Sequence, residues 1–395
     1  MGPLQPIERQ NRLQLIDSLR GLALFGILIA NIPFSSNEHV SASGDAAGMP
    51  VSDKVLSFLA HLLIEKKFIT IFSMLFGFGF YVQMKRAEDR GIDFRSYFLK
   101  RMTILLVIGC IHAYVFWFGD IIRDYAICGM FLLLVYKWKP KKVLTAAVIF
   151  SVFLTGTVFI LNGIIGVNYS FDTSIVADHP VTDSYWRYLY INARMDPFVN
   201  FIQDSPITLV FCFGNMLTGF WMSKAGFFHQ QEKFDSARKK LIVSGILAGI
   251  PASYLLWLIT TGKMDLSPAL IWLPYVIVAG MILQSLSYIA AFTQLFQMKS
   301  WQKIFCVFAP VGKMALTNYL LQTLFYLLLF FHWTGLKLYG RLTITETYMV
   351  AVGLFTLQVL FSSWWMKRHQ QGPVENVWKK LSYKFSGSKL TLQSN

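Results

Sequence analysis

Charge is scarce in this sequence. Asp, Glu, Lys and Arg make up 14% of its 395 residues, where a soluble domain carries roughly 25%. Cysteine is scarcer still. Cys110, Cys128, Cys212 and Cys306 all lie in apolar runs, and no CxxC occurs. That pattern excludes a disulfide framework and a zinc ribbon, and leaves the four as small packing residues. A P-loop, an HExxH, a GxSxG and an EF-hand loop are also missing. "FGFGF" at 76–80 lies inside an apolar run and reads as helix packing, not as a nucleotide loop. Neither an internal repeat nor a low-complexity segment divides the chain, and no metal set is expected.

What is abundant is hydrophobicity, at 55% of residues with 16% aromatic. A bilayer-crossing helix needs about 20 largely apolar residues. Ten runs approach this: 19–34, 55–82, 102–118, 121–136, 143–167, 206–222, 241–261, 269–296, 304–331 and 347–366. The expected fold is therefore all-α: a polytopic transmembrane helix bundle of about ten spans, forming one membrane domain over 1–395.

The net charge of +15 would suit nucleic acid, but its placement argues against that partner. Basic residues gather on the cytoplasmic side of membrane proteins. With the N-terminus inside and the spans alternating, the inner segments hold 25 of the 36 Lys and Arg, including the 85–101 loop and the tail. Of the 21 acids, 13 fall outside. Ten spans put both termini in the cytoplasm. The mixed residues before the first span suit a retained signal anchor rather than a cleaved leader.

The longest loop, 168–205, is on the outside. It carries Asp172, Asp178, Asp183, Asp196 and Asp204, and "SYWRYLYINARM" with aromatics at helical spacing, as expected of a helix along the outer interface. In the tail, Pro373 suits a first helical turn. Val374, Val377, Trp378, Leu381 and Phe385 then share one face among Lys379, Lys380 and Lys384. This predicts an amphipathic cytoplasmic helix over 373–386, first of all a membrane anchor.

Ionisable groups within a span are costly and mark sites of function. Asp17 and Arg20, three apart, share a helix face at the start of the first span. They either end the span as an interfacial ion pair or hold an anionic group at the cytoplasmic mouth. Gly21 and Gly26 follow and permit a close helix contact. His112 sits in an apolar stretch, eight residues before Asp120, with Arg123 and Asp124 beyond. Gly119 predicts a chain break there, so the two acids and the base can fold back to the imidazole, as a general base requires. A satisfied core histidine is the plainer alternative. His61, Glu65, Lys66 and Lys67 open the second span and can approach the Asp120 cluster or simply reach the headgroups. Asn31, Lys313, Asn318 and Gln322 are further polar candidates. Pro310 and Gly312 predict a broken helix beside the last three, as where backbone lines a cavity.

Five blocks, "RLQLIDSLRGLALFGILIANI", "KKFITIFSMLFGFGF", "GCIHAYVFWFGDIIRDYAICG", "VGKMALTNYLLQ" and "QGPVENVWKKLSY", together resemble the YeiB-like family of bacterial membrane proteins. The likeness runs from the first span to the tail. That family looks related to the transmembrane acyltransferases, which carry an acyl group from cytoplasmic acyl-CoA to an acceptor on the far side. They include the lysosomal heparan-glucosaminide acetyltransferases and bacterial surface-sugar acylators. The resemblance implies a bacterial cell membrane protein in which His112 is the base and Asp120 its partner. Asp17 and Arg20 match the first-span motif. A second intramembrane histidine beside His112 is lacking.

Donor or substrate binding is then expected among Asp17, Arg20, Asn31, Lys67, Arg123, Asp124, Lys313, Asn318 and Gln322. Acyl-CoA is expected as co-substrate, with no permanently bound cofactor. The expected partners are membrane lipid and a small-molecule, lipid or sugar acceptor. A transporter or lipid-handling protein using the same polar residues is the rival reading, and a purely structural membrane protein the third.

Overall fold

The computed structural model describes residues 9–36, 49–91, 93–164, 179–196, 205–228, 231–265 and 268–384. Asp172, Asp178 and Asp204 of the acidic loop, and positions 385–386 of the expected tail helix, lie outside them. Every regular element among the described residues is helical.

The chain begins with α1 (Arg9–Ser36), α2 (Val51–Leu63), α3 (Lys67–Glu88), α4 (Phe94–Ile111) and α5 (Ile122–Val135). It continues through α6 (Pro140–Val148), α7 (Thr155–Ile164), α8 (Tyr185–Met195), α9 (Ser205–Ala225), α10 (Gln231–Ser244), α11 (Ile250–Thr260) and α12 (Leu273–Leu295). It ends with α13 (Lys299–Phe305), α14 (Ala309–Lys313), α15 (Ala315–Phe330), α16 (Ile344–Met366) and α17 (Pro373–Lys384). Wider π-helical turns at His112–Phe116, Ile149–Leu154 and Gly245–Gly249 prolong α4 and join α6 to α7 and α10 to α11.

Six helical runs among the described residues are long and apolar enough to cross a membrane: Gln14–Pro33, Phe94–Phe116, Pro140–Leu161, Lys233–Thr260, Leu273–Leu295 and Ile344–Met366. A seventh arises if Lys299–Lys313 and Ala315–Phe330, bent by 81°, form one broken span. The break expected from Pro310 and Gly312 is therefore present, and the bend falls at Met314. The run 55–82 is divided instead of continuous. Lys66 takes a left-handed conformation with φ 62°, and the Lys67 ammonium donates to the His61 carbonyl at 2.7 Å. The polar residues at 65–67 thus close the end of α2 and open α3. The run 121–136 is the 14-residue α5, about 21 Å long at 1.5 Å per residue, less than the roughly 30 Å of hydrocarbon.

α1 runs through the bundle with Leu15, Leu19, Ala23, Leu24, Leu28 and Ile32 almost wholly buried. Its two glycines meet neighbours closely: a methyl on Gly21 would strike the Phe308 carbonyl, and one on Gly26 the Phe68 ring. Gly77 of α3 and Gly219 of α9 are reciprocal, each facing backbone of the other helix at Met216 and Met74. This is the small-residue contact that lets membrane helices approach, and it accounts for the first glycine of "FGFGF".

Two helix N-termini are satisfied from far along the chain. Asp53 accepts the backbone N–H groups of Ile344 and Thr345 at the start of α16, both at 3.1 Å. Glu375 accepts those of Leu316 and Thr317 at the start of α15, at 2.7 and 3.1 Å. Open helix ends need such partners. The tail helix α17 is thus docked on the bundle. Trp378 donates to the Arg101 carbonyl at 2.8 Å, and the Arg101 guanidinium lies 3.7 Å over the Trp378 ring.

Candidate functional site

His112 stands where α4 widens into a π-helical turn, with the Trp117 N–H bonding back to the His112 carbonyl at 2.8 Å. Such turns recur at functional sites because they re-aim a side chain. Trp117 is extended, which starts the break before Gly119 and sends the chain back toward α4. Gly109, one turn below His112, makes the return possible. A Cβ there would lie 2.7 Å from the Arg123 backbone nitrogen and 3.0 Å from Asp120 Oδ2.

The result is a buried hydrogen-bonded chain. Asp120 Oδ1 is 2.8 Å from His112 Nδ1. Asp120 Oδ2 accepts the Arg123 backbone N–H at 2.8 Å, and the Arg123 Nε lies 3.8 Å away. Arg123 Nη1 donates to Asp196 Oδ2 at 2.7 Å. On the other side of the ring, His112 Nε2 is 2.9 Å from Thr323 Oγ1 on α15. His112, Asp120, Arg123, Asp196 and Thr323 are all at most 6% exposed. A carboxylate only accepts hydrogen bonds, so Nδ1 carries the proton toward Asp120, and in the neutral ring Nε2 presents a lone pair to Thr323. This is the orientation of an imidazole prepared to take a proton.

α8 locks this turn from outside. It is the helix expected from "SYWRYLYINARM". Tyr188, Ile191, Asn192 and Met195 face inward while Trp186 and Tyr190 are exposed. The Tyr188 hydroxyl donates to the Phe116 carbonyl, and the Asn192 amide to that of Tyr114 at 3.3 Å. His179 bonds Asn192 at 2.9 Å. Burial of His179 lowers its pKa to about 4, opposed by the Asn192 hydrogen bond, so the ring is neutral at physiological pH.

The Asp17–Arg20 pair forms as expected, at 3.1 Å and partly exposed. Arg20 also reaches the Gly312 carbonyl at 3.5 Å, and Lys313 is close enough for its charge to act on Asp17. Lys313 itself is exposed. Along α1, the Gln322 amide bonds Leu24 O at 3.5 Å and the Tyr326 hydroxyl bonds Leu28 O at 3.4 Å. Thr323 therefore lies one to two helical turns beyond Arg20, roughly 6–12 Å along the axis.

Other expected site residues are committed elsewhere. Asn318 donates to Ser362 at 2.9 Å, and Gln322 to Gln358 at 3.1 Å. Gln358 donates in turn to the Asn318 carbonyl at 2.8 Å. These amides join α15 to α16 as interhelical hydrogen bonds. Lys67 is taken up by the His61 carbonyl, and Glu65 by His61 at 2.9 Å. Among the described residues neither joins the Asp120 cluster. Asn31 is exposed. Asp124 is buried beside the cluster and makes no hydrogen bond or ion pair among the described residues. Thr323 was not signalled by the sequence, since only its distance from His112 distinguishes it from other helical hydroxyls. Asp196 was visible solely as one acid of an acidic loop.

A multi-pass helical membrane protein with a buried acid–base pair is the class these features define. Residues 222–385 match a family described as "Protein of unknown function (DUF418)". The chain is 29% identical to the uncharacterized protein YxaH of Bacillus subtilis, with 97% of each chain covered. It is 27% identical to the uncharacterized protein YeiB of Escherichia coli, over 96% of this chain and 98% of that one. A third relative, an uncharacterized 39.9 kDa protein from the amylase 3' region of Bacillus acidopullulyticus, is 26% identical over 96% of each. Over nearly its whole length the chain is similar to these YeiB-like proteins. No solved structure matches it.

Proposed function

We propose that the protein is an acyltransferase of the bacterial cell membrane, moving an acyl group from a cytoplasmic donor to an acceptor at or across the bilayer. The observation that carries the reading is the buried Asp120–His112 hydrogen bond of 2.8 Å, with Nε2 turned toward a hydroxyl. A base of this kind accelerates attack by a hydroxyl or amine on a carbonyl by about 10²–10⁴. Arg20, at the other end of the same stretch of α1, would meet the phosphates of an acyl-CoA, with Asp17, 3.1 Å away, as its brace. The acceptor, a sugar, lipid or small molecule, would enter from the side covered by α8.

In this reading ten spans carry both termini inside. α9, over the run 206–222, would be one further crossing, and the shorter α5 and the divided α2–α3 segment would complete the other two within the protein interior, where backbone need not be helical throughout. A cysteine placed in the loop 85–101 should resist impermeable reagents in intact cells; ready labelling would reverse the orientation.

The rival reading is a transporter, and the 81° bend at Met314 is what favours it. The test is incubation of the reconstituted protein with labelled acetyl-CoA and a membrane lipid and glycan extract. Acyl label appearing in an acceptor, lost in His112→Gln, supports the enzyme. Substrate flux across the vesicle without acyl transfer supports the transporter.

A further inference from the structure

We propose that Thr323 is the nucleophile of a two-step transfer, carrying the acyl group as an ester on Oγ1 between donor and acceptor. The inference rests on the acyltransferase reading and goes beyond it. It adds a catalytic residue and a covalent intermediate.

Helical serine and threonine hydroxyls ordinarily bond the carbonyl four residues back. The buried hydroxyls of Ser73, Ser151, Thr218, Ser285 and Thr293 do so here. Thr323, equally buried in the middle of α15, does not. Its one hydrogen bond among the described residues is to His112 Nε2 at 2.9 Å, across 211 positions of sequence. With the ring neutral and its Nδ1 proton held toward Asp120, Thr323 is the donor in that bond. Acid, imidazole and hydroxyl then stand in series: Asp120 Oδ1, His112 Nδ1 at 2.8 Å, and His112 Nε2 to Thr323 Oγ1 at 2.9 Å. A weak nucleophile activated by an adjacent base, itself oriented by a third group, is the signature of covalent catalysis. A histidine serving an incoming acceptor directly would present Nε2 to an open space, whereas here a protein hydroxyl fills the position of the attacking atom.

The chemistry balances with an acyl thioester as donor. Thr323 Oγ1 adds to the thioester carbonyl carbon as its proton passes to His112 Nε2. The tetrahedral adduct expels the thiolate, which takes that proton and departs as a thiol, leaving the acyl ester on Oγ1. The acceptor hydroxyl or amine then gives its proton to Nε2 and attacks the ester carbonyl. Oγ1 leaves and recovers the proton.

The test uses the full-length protein in detergent or vesicles with two probes, acetyl-CoA and an alkyl fluorophosphonate, and peptide mass spectrometry to locate adducts. Acetyl and phosphonyl groups should appear on Thr323 in the wild type and be absent from His112→Gln. Thr323→Val keeps shape without a hydroxyl and should lose about 10²-fold or more of the turnover. Thr323→Ser, which restores the hydroxyl, should recover a large part. Wild-type turnover by folded Thr323→Val overturns the nucleophile while leaving the acyltransferase reading intact, since transfer would then be direct. If the wild type transfers no acyl group, the acyltransferase reading fails, and the fluorophosphonate alone decides. Labelling of Thr323 that depends on His112 retains an activated nucleophile, and absence of labelling removes it.

Discussion

Arg123 on the first turn of α5 and Asp196 just after α8 meet at 2.7 Å, both almost fully buried. Arg123 thereby stands between two carboxylates, Asp196 and Asp120. Removing one partner of a buried pair strands the other charge, at about 3–5 kcal/mol. Arg123→Ala should lower the thermal midpoint sharply, and Arg123→Met with Asp196→Leu should recover much of the loss. Full stability of the Arg123→Ala protein in a detergent melting assay would contradict the coupling.

Asp17 and Arg20 are a lesser case. The pair is partly exposed, so each single alanine substitution should cost about 1–3 kcal/mol, between surface and buried pairs. The double mutant should be the milder one. Binding of acyl-CoA, measured by calorimetry, should weaken most in Arg20→Ala.

His112→Gln retains a hydrogen-bonding side chain but cannot shuttle a proton. It should insert and fold as the wild type while losing about 10²–10⁴ in acyl transfer. Asp120→Asn should lose less if its chief effect is to hold the ring. Radiolabel transfer per folded protein is the measurement, and a His112→Gln enzyme at full rate would dismiss the base.

Glu375 of the tail helix α17 caps the start of α15. Glu375→Ala opens two backbone N–H groups and the Thr317 hydroxyl, which donates to it at 2.5 Å. Loss of a cap costs about 0.5–2 kcal/mol. The midpoint of unfolding should fall measurably, whereas substitution of the exposed Lys380 should leave it unchanged.

His179 predicts an acid-sensitive contact between α8 and the turn it covers. Its pKa falls from 6.5 in the unfolded chain to about 4 in the fold, chiefly by burial. Between those values the unfolded state binds a proton that the folded state refuses. Stability is therefore complete above pH 6.5 and declines as pH drops through this window, by up to about 3 kcal/mol from this residue. Melting curves from pH 7.5 to 4.5 should show the slope, and His179→Asn should flatten it.

Local spacing alone settled a good deal. The helical, membrane-crossing character follows from apolar runs whose backbone must bond internally in lipid. Asp17 meets Arg20 because residues three apart on a helix share a face, and His112 meets Asp120 because a break at 117–121 returns the chain over eight residues. Other features depended on contacts the sequence does not encode locally. The division of 55–82 at Lys66 involves neither proline nor glycine, and rests on Lys67 reaching the His61 carbonyl. The polarity of Asn318 and Gln322 is visible in the sequence, while their partners Ser362 and Gln358 lie on another helix. Asp196 is 73 positions from Arg123, Glu375 is 58 from Thr317, and Thr323 is 211 from His112. Hydrophobic periodicity orients a helix face only toward apolar surroundings. Which hydroxyl or carboxylate arrives opposite a given imidazole is decided by how the helices pack, and that is where the chain from Asp120 to Thr323 was made.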